Sequence, residues 1–261
     1  MNYKLTLQYD GTDFSGWQMQ AAARTVQGEL TRVLSLLAGR AVVVHGAGRT
    51  DAGVHAEGQV ASVELEREFT PEQLRAAING NLARDVRVLA VEVAPADFHA
   101  RYSARGKTYC YRVFNAPYLS PFLARYAHHE PRPLDLARMQ ACARRFVGAH
   151  DWTAFSAAQA DVQTRVRHIT ALTVSAGWSA QGRGPLIEIA ASADGFLRYM
   201  VRSIAGTLLA AGRGERDEAA ITEAIATGAR ALAGATAPAK GLTLIKVHYD
   251  SAGASWPPVE Q

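Results

Sequence analysis

The residues best able to do chemistry are gathered in Gly46-Ala47-Gly48-Arg49-Thr50-Asp51-Ala52-Gly53-Val54-His55-Ala56, where a single carboxylate, Asp51, stands among glycines. Glycine admits positive φ and lets the backbone approach a ligand closely, so an acid in such a loop is positioned rather than merely solvated. The loop follows Ala41-Val42-Val43-Val44, a β-branched run of strand character. Glycines after a strand often cradle phosphate, but both standard spacings fail here. The dinucleotide fingerprint needs Gly where Asp51 stands, and the nucleoside-triphosphate loop needs Lys and then Ser or Thr where Val54 and His55 stand. Both motifs also require a following helix, whereas Gly58 to Leu65 has the character of a strand. Spacing alone leaves two readings open: an acid held toward a ligand, or a tight loop whose Asp caps a turn.

Other reactive groups are sparse. Cys110 and Cys142 are too few and too unpatterned for a disulfide framework or a zinc site, and the pair His128-His129 lacks further ligands at metal spacing. The two histidines are therefore expected at the surface, with no metal. From Phe98 to His129 there is no Asp or Glu, while Arg101, Arg105, Lys107, Arg112 and Arg125 alternate with eight Phe and Tyr residues. Basic groups interleaved with rings suit a surface that tracks a nucleic-acid backbone and stacks on bases, although several of the rings must be core. Arg198 and Arg202, four apart, are expected on one face of a helix whose other face is Phe196, Met200, Ile204 and Leu208.

The scaffold that must position these groups follows from periodicity. Tyr3, Leu5, Leu7 and Tyr9 alternate with polar residues as in a half-buried strand, and Val26, Leu30, Val33, Leu34 and Leu37 mark one helix face between Thr25 and Gly39. Strands at 41–45 and 59–65, a helix opened by the capping box Thr70-Pro71-Glu72-Gln73 and a strand at 86–93 complete a β-α-β-β-α-β order. A similar order is expected again: strand 107–114, helix 135–147, strands 166–174 and 185–192, helices 196–211 and 217–227, and strand 242–249. The expected fold class is α+β, with two ferredoxin-like halves, 1–104 and 105–250, and a tail at 251–261. Their antiparallel sheets are expected to join into one sheet with a central cleft.

At 261 residues, such a chain buries about 70 to 75 per cent of its unfolded surface, so core size is not limiting. The formal net charge is only +4, yet 24 of the 28 basic residues are Arg, a bias that favours planar contacts to phosphate, although composition or thermostability can also produce it. No run of apolar residues is long enough to cross a membrane and the N-terminus has no signal-like apolar block, so a cytoplasmic protein is expected.

Gly48 to Ala56, followed by Gly58-Gln59-Val60, resembles the catalytic segment of the tRNA pseudouridine synthases of the bacterial synthase A type. Tyr9-Asp10-Gly11, Phe14 and Gly16-Trp17-Gln18 resemble the family's first strand and turn. Asp97-Phe98-His99-Ala100-Arg101, Tyr109 and Tyr111, Met200-Val201-Arg202, Ala237-Pro238 and Gly241-Leu242 resemble later blocks in the same order. The resemblance implies conversion of uridine to pseudouridine, in which uracil is detached from ribose, turned and rejoined through carbon, without redox change, phosphoryl donor or cofactor. It makes Asp51 the catalytic group, ionised so as to attack sugar or base or to take a proton from the ribose. Arg202 matches the family's partner arginine, a cation that favours the charged carboxylate. Tyr109 matches the residue stacked on the target base, and Arg49 the arginine that helps hold the nucleotide flipped from its helix. The resemblance further implies a homodimer acting on the tRNA anticodon stem-loop, at positions 38 to 40. One departure is Arg198-Tyr199 before Met200, where the family often has a histidine beside the methionine. The rival classes are a non-catalytic RNA-binding ferredoxin-like protein, which leaves the Asp51 loop unexplained, and a glycosidic hydrolase, which needs a second carboxylate.

Overall fold

Alternation along Tyr3, Leu5, Leu7 and Tyr9 builds strand β1 (Asn2–Tyr9), and all four side chains are buried in the computed structural model, which describes residues 1–158, 162–179 and 184–250. The tail expected at 251–261 lies outside the described residues. After β1 come α1 (Val26–Ala38), β2 (Val44–Gly46), β3 (His55–Glu64), α2 (Pro71–Asn81) and β4 (Val86–Ala94). Next are β5 (Ala104–Phe114), β6 (His128–His129), α3 (Leu136–Ala143), β7 (Gly148–Asp151), β8 (Val166–Ser179) and β9 (Gly184–Ala193). Helices α4 (Met200–Gly212) and α5 (Glu218–Thr227) and strand β10 (Leu242–Tyr249) complete the α+β fold.

The chain divides into two compact units: Met1–Arg105 together with the chain from Leu244 on, and Gly106–Thr243. In the first unit β1 lies between β3 and β4, antiparallel to both, while β2 pairs antiparallel with β3 from Val44↔Val63 to Gly46↔Ala61. Strand β10, from Leu244 on, belongs to this unit and lies next to β3. Both helices start where local chemistry dictates. The Thr25 side chain accepts the Gly28 N–H, and Thr70 with Gln73 forms a reciprocal capping box ahead of Pro71, each such cap contributing about 1 kcal/mol. Gly39 ends α1 in the left-handed conformation. Leu30, Val33 and Leu34 from α1 and Leu74 and Ile78 from α2 are fully buried, and the two helices pack on each other.

In the second unit the order is β5-β9-β8-β7, antiparallel throughout, with β6 added parallel to β5. Helix α3 packs on β8 and α4. Three expectations change here and in the first unit. The strand expected at 41–45 shrinks to Val44–Gly46, because the Ser35 hydroxyl accepts the Val42 N–H and Val43 faces solvent. The helix expected at 135–147 ends at Ala143 and tightens into a 3-10 turn, Arg144–Phe146, that seats Phe146 in the core. The helix expected at 196–211 begins only at Met200, and apart from Arg202 it is buried on every side, because Ser203, Gly206, Thr207 and Ala210 make its second face small enough to be covered. Strands β6 and β7 were not expected at all; at such lengths no alternation can show.

Candidate active site

In the first unit, β2 and β3 are the two arms that carry the Asp51 loop. The turn after β1 fastens it from the side. Trp17 N–H donates to Thr50 O at 3.0 Å, Gly53 N–H donates to Phe14 O at 3.4 Å, and Val54 N–H closes the loop on Asp51 O at 3.1 Å. Gly16 takes φ +90° there, and a Cβ on it would stand 2.7 Å from Thr50 O, so the approach of the two segments requires glycine on both counts. Of the three loop glycines only Gly53 uses positive φ; Gly46 is instead closed down on by the Trp17 indole.

Beneath the loop lies a buried neutral network. The Tyr9 hydroxyl and the Thr50 hydroxyl are 2.8 Å apart, and the Gln59 amide donates to Gly48 O at 3.0 Å and to the Tyr9 hydroxyl at 3.4 Å. Burial pushes the Tyr9 hydroxyl up to about 12, against the opposing pull of its bonds to Thr50 and Gln59, so it stays protonated. Next to it, Gly11 N–H donates to His55 Nδ1 at 3.0 Å. Asp10 Oδ1 lies 3.2 Å from the same nitrogen. Asp51 itself is half-buried at the loop's apex, and Arg49 is exposed.

In the second unit Arg202 sits in the first turn of α4, half-buried. Its Nε–H donates to Ala237 O at 2.8 Å, while Ala237 N–H returns a bond to Arg202 O at 3.0 Å. The segment that receives it is pinned in turn. Tyr111 donates to Pro238 O at 3.0 Å, Gly234 N–H donates to the Thr207 hydroxyl at 2.8 Å, and a Cβ on Gly206 would overlap Ala235 O. Burial raises the pKa of Tyr111, opposed by the charge of Arg202, so the hydroxyl remains a donor. Tyr109 lies one alternation earlier on β5, buried with its ring edge-on to Phe196 at 5.2 Å between centroids.

The two arrangements are those of a fixed carboxylate and a fixed guanidinium, and the order of the segments that build them is shared with known proteins. A family described as tRNA pseudouridine synthase matches residues 6–103 and 142–250. The chain belongs to the tRNA pseudouridine synthase family. The tRNA pseudouridine synthase A of Streptococcus equi subsp. equi (strain 4047) is 43% identical over 249 residues, covering 95% of this chain and 98% of its own. That of Geobacillus sp. (strain WCH70) is 43% identical with the same coverage, and that of Methylobacterium nodulans is 43% identical over 257 residues, 98% of each chain. Asp51, Arg49 and Arg202 fall inside the matched stretches of the synthase family, and Tyr109 falls between them.

Several sequence expectations about surfaces are corrected by the structure. Two arginines of the acid-free window 98–129 find acids elsewhere in the fold. Arg105 pairs with Asp250 at 2.7 Å and Arg112 with Glu188 at 3.0 Å. Its rings divide: Tyr109, Tyr111 and Phe114 are core, while Tyr102, Tyr118 and Phe122 are exposed. His128 and His129 are not simply surface residues. They form β6, half-buried, with His129 Nε2 2.8 Å from Ala116 O. Arg198 is not on the helix that carries Arg202 but in the turn before it, so the pair shares no helical face. Asp217 and Glu218, which carried no expected role, cap α5 and pair with Arg145. The network of Tyr9, Thr50 and Gln59 was not foreseen; Tyr9 and Gln59 were visible only as letters within the family's motifs. Among the described residues no cluster of His, Cys, Asp and Glu could hold a metal ion, and no helix is long and apolar enough to cross a membrane.

Proposed function

We propose that this protein isomerises uridine to pseudouridine in tRNA, with Asp51 as the catalytic carboxylate. The observation that carries this reading is the Asp51 loop, whose main chain is bonded to Phe14 and Trp17 on one side and to Gln59 below. An acid held this firmly through its backbone is placed for reaction. For a surface that only binds RNA it would be a liability, since a carboxylate repels phosphate. In the reaction the N1–C1′ bond breaks, C5 bonds to C1′, the C5 proton leaves and N1 ends protonated, so nothing is oxidised and no group is added. Ionised Asp51 serves as nucleophile or base, and Arg202 is its cationic partner. Arg49 helps hold the flipped nucleotide. Tyr109, buried and edge-on to Phe196, is the residue that stacks on the target base.

The same proposal includes uridines 38 to 40 of the anticodon stem-loop as targets, a homodimer, a cytoplasmic location and no bound cofactor. It also includes two ferredoxin-like halves, 1–104 and 105–250, the last strand of which groups with the first unit from Leu244 on. The sequence β1-α1-β2-β3-α2-β4, with β1 between β3 and β4, supports that description for the first half.

The test is incubation with unmodified tRNA in chelator, without nucleotide, followed by mapping of pseudouridine. Pseudouridine at positions 38 to 40 is the expected result. Tight tRNA binding without conversion would make the protein an RNA-binding module, and release of free uracil would make it a hydrolase.

A further inference from the structure

Helix α4 begins in an unusual way. An N-cap is ordinarily an extended Ser, Thr, Asp or Asn whose side chain bonds the first turn. Here it is Tyr199, at φ 66° and ψ −1°, with no side-chain cap bond. Among the described residues it is the sole non-glycine with positive φ. A bulky residue in that region is strained, and such strain persists only where the surroundings impose it. The cap's carbonyl still accepts the Ser203 N–H at 2.8 Å, so the helix starts, but the ring contributes nothing to that bond.

The ring instead lies against two guanidinium groups. Arg202 Cζ is 5.1 Å from its centroid and Arg198 Cζ is 4.7 Å, while Arg198 Nη2 donates to the Tyr199 hydroxyl at 3.0 Å. A guanidinium within about 6 Å of a ring centroid is attracted to the π face. Two of the contacts on Arg202 are the bond from Nε–H to Ala237 O and the approach of the guanidinium to the Tyr199 ring. Tyr199 is only half-buried, whereas every residue of α4 except Arg202 is buried.

We propose that Tyr199 is a positioning residue for Arg202: its left-handed backbone places the ring against the guanidinium and sets the direction in which the two Nη groups face. The functional consequence rests on the reading of Arg202 as the partner of the catalytic carboxylate, whereas the geometric consequence does not.

Three variants separate the roles. Tyr199→Gly and Tyr199→Asn tolerate the left-handed backbone and lack the ring, whereas Tyr199→Phe keeps the ring and loses the hydroxyl. The Gly and Asn variants should melt within about 5 °C of wild type, because released strain offsets the lost ring contacts. Their single-turnover pseudouridine formation should fall about 30-fold, with tRNA affinity changed by less than about threefold. In nitrogen-15 spectra the Arg202 Nε–H should exchange with water faster in both. Tyr199→Phe should recover most of the rate and the slow exchange. The proposal is overturned if Gly and Asn keep the wild-type rate and slow exchange, if both melt more than about 5 °C lower, or if Phe is as defective as Gly. Wild-type protein that makes no pseudouridine would sink the functional reading, and the Nε–H exchange would still decide whether Tyr199 holds Arg202.

Discussion

The loop of Asp51 and the helix start of Arg202 hold opposite charges by opposite means. Around Asp51 the fastening is neutral and acts on the backbone: main-chain bonds from Trp17 and Gly53, and below them the hydroxyls of Tyr9 and Thr50 with the Gln59 amide. Around Arg202 the fastening grips the charged group itself, through Ala237 O and the Tyr199 ring. Bonds to the main chain of the loop set the position of the Asp51 carboxylate. A guanidinium has five N–H donors and can give one away while the rest stay directed elsewhere.

The largest effect should come from the carboxylate proposed to do the chemistry. Asp51→Asn keeps shape and size but cannot serve as nucleophile or base, and single-turnover pseudouridine formation should fall by about three to four orders of magnitude. Melting temperature and tRNA affinity should be nearly unchanged, with affinity if anything slightly higher. A variant that retains more than a few per cent of the rate, with deamidation excluded, would remove Asp51 from the chemistry. On the other side Arg202→Lys keeps the charge but loses the Nε–H that reaches Ala237 O, so the rate should fall about 10- to 100-fold. A loss as deep as that of Asp51→Asn would mean that the cation is no more dispensable than the acid, and the contrast between the two sites would fail.

The same contrast explains what could be foreseen from sequence. Caps and periodic faces are local, so Thr25, the Thr70 and Gln73 box and the alternation of β1 announced their elements. Asp51 and Arg202 stand out in the sequence because each lies in a contiguous motif. What escaped is what the fold brings together over distance. The hydroxyl of Tyr9 meets Thr50 across 41 residues of chain, and Arg105 finds Asp250 across 145. No window of sequence shows such pairs, which is why the acid-free strip from Phe98 looked more basic than it is. The start of α4 was misplaced because Phe196, Met200 and Ile204 keep a helical spacing through a residue, Tyr199, whose backbone is not helical.

An intermediate effect is expected from a matched pair of buried tyrosines. Tyr9→Phe strips the network under Asp51 of its central hydroxyl, and Tyr111→Phe releases Pro238 O beside Ala237. Each should cost roughly 1 to 3 kcal/mol of stability, because a buried partner is left unsatisfied. Rates should separate them, with about a 10-fold loss for Tyr9→Phe, which loosens the network beneath the Asp51 loop, and less for Tyr111→Phe, since Arg202 keeps the Tyr199 ring. Both hydroxyls have folded pKa values raised by burial, Tyr9 to about 12. Their contribution is therefore complete below the unfolded value of about 10, and is lost as pH rises from there toward the folded value. Wild type should lose stability more steeply than either Phe variant above about pH 10, by chemical denaturation.

The smallest effect tests whether the first site is as neutral as it looks. Arg24 lies 4.1 Å from the Phe14 ring and forms a bidentate pair with Asp85, at 2.6 and 2.9 Å, so an ion pair does stand behind the turn that bonds Gly53. The hydrogen bond from Arg24 holds the Asp85 carboxyl below its ordinary range, although the Arg24 side chain is 35% exposed and solvent weakens the pair. Asp85→Asn should thus cost only about 1 kcal/mol at neutral pH. Since the folded pKa is the lower one, that margin is present above the unfolded value of about 3.9 and disappears as pH falls through the folded value. Unfolding curves of wild type and Asp85→Asn should differ at pH 7 and converge toward pH 3, while the rate at pH 7 stays within about twofold. The rate is the sharper reading. Should Asp85→Asn slow the reaction as much as Tyr9→Phe, the loop of Asp51 would be held by charge at one remove, through Arg24 and Phe14, and the division between a neutrally fastened acid and a directly gripped cation would have to be given up.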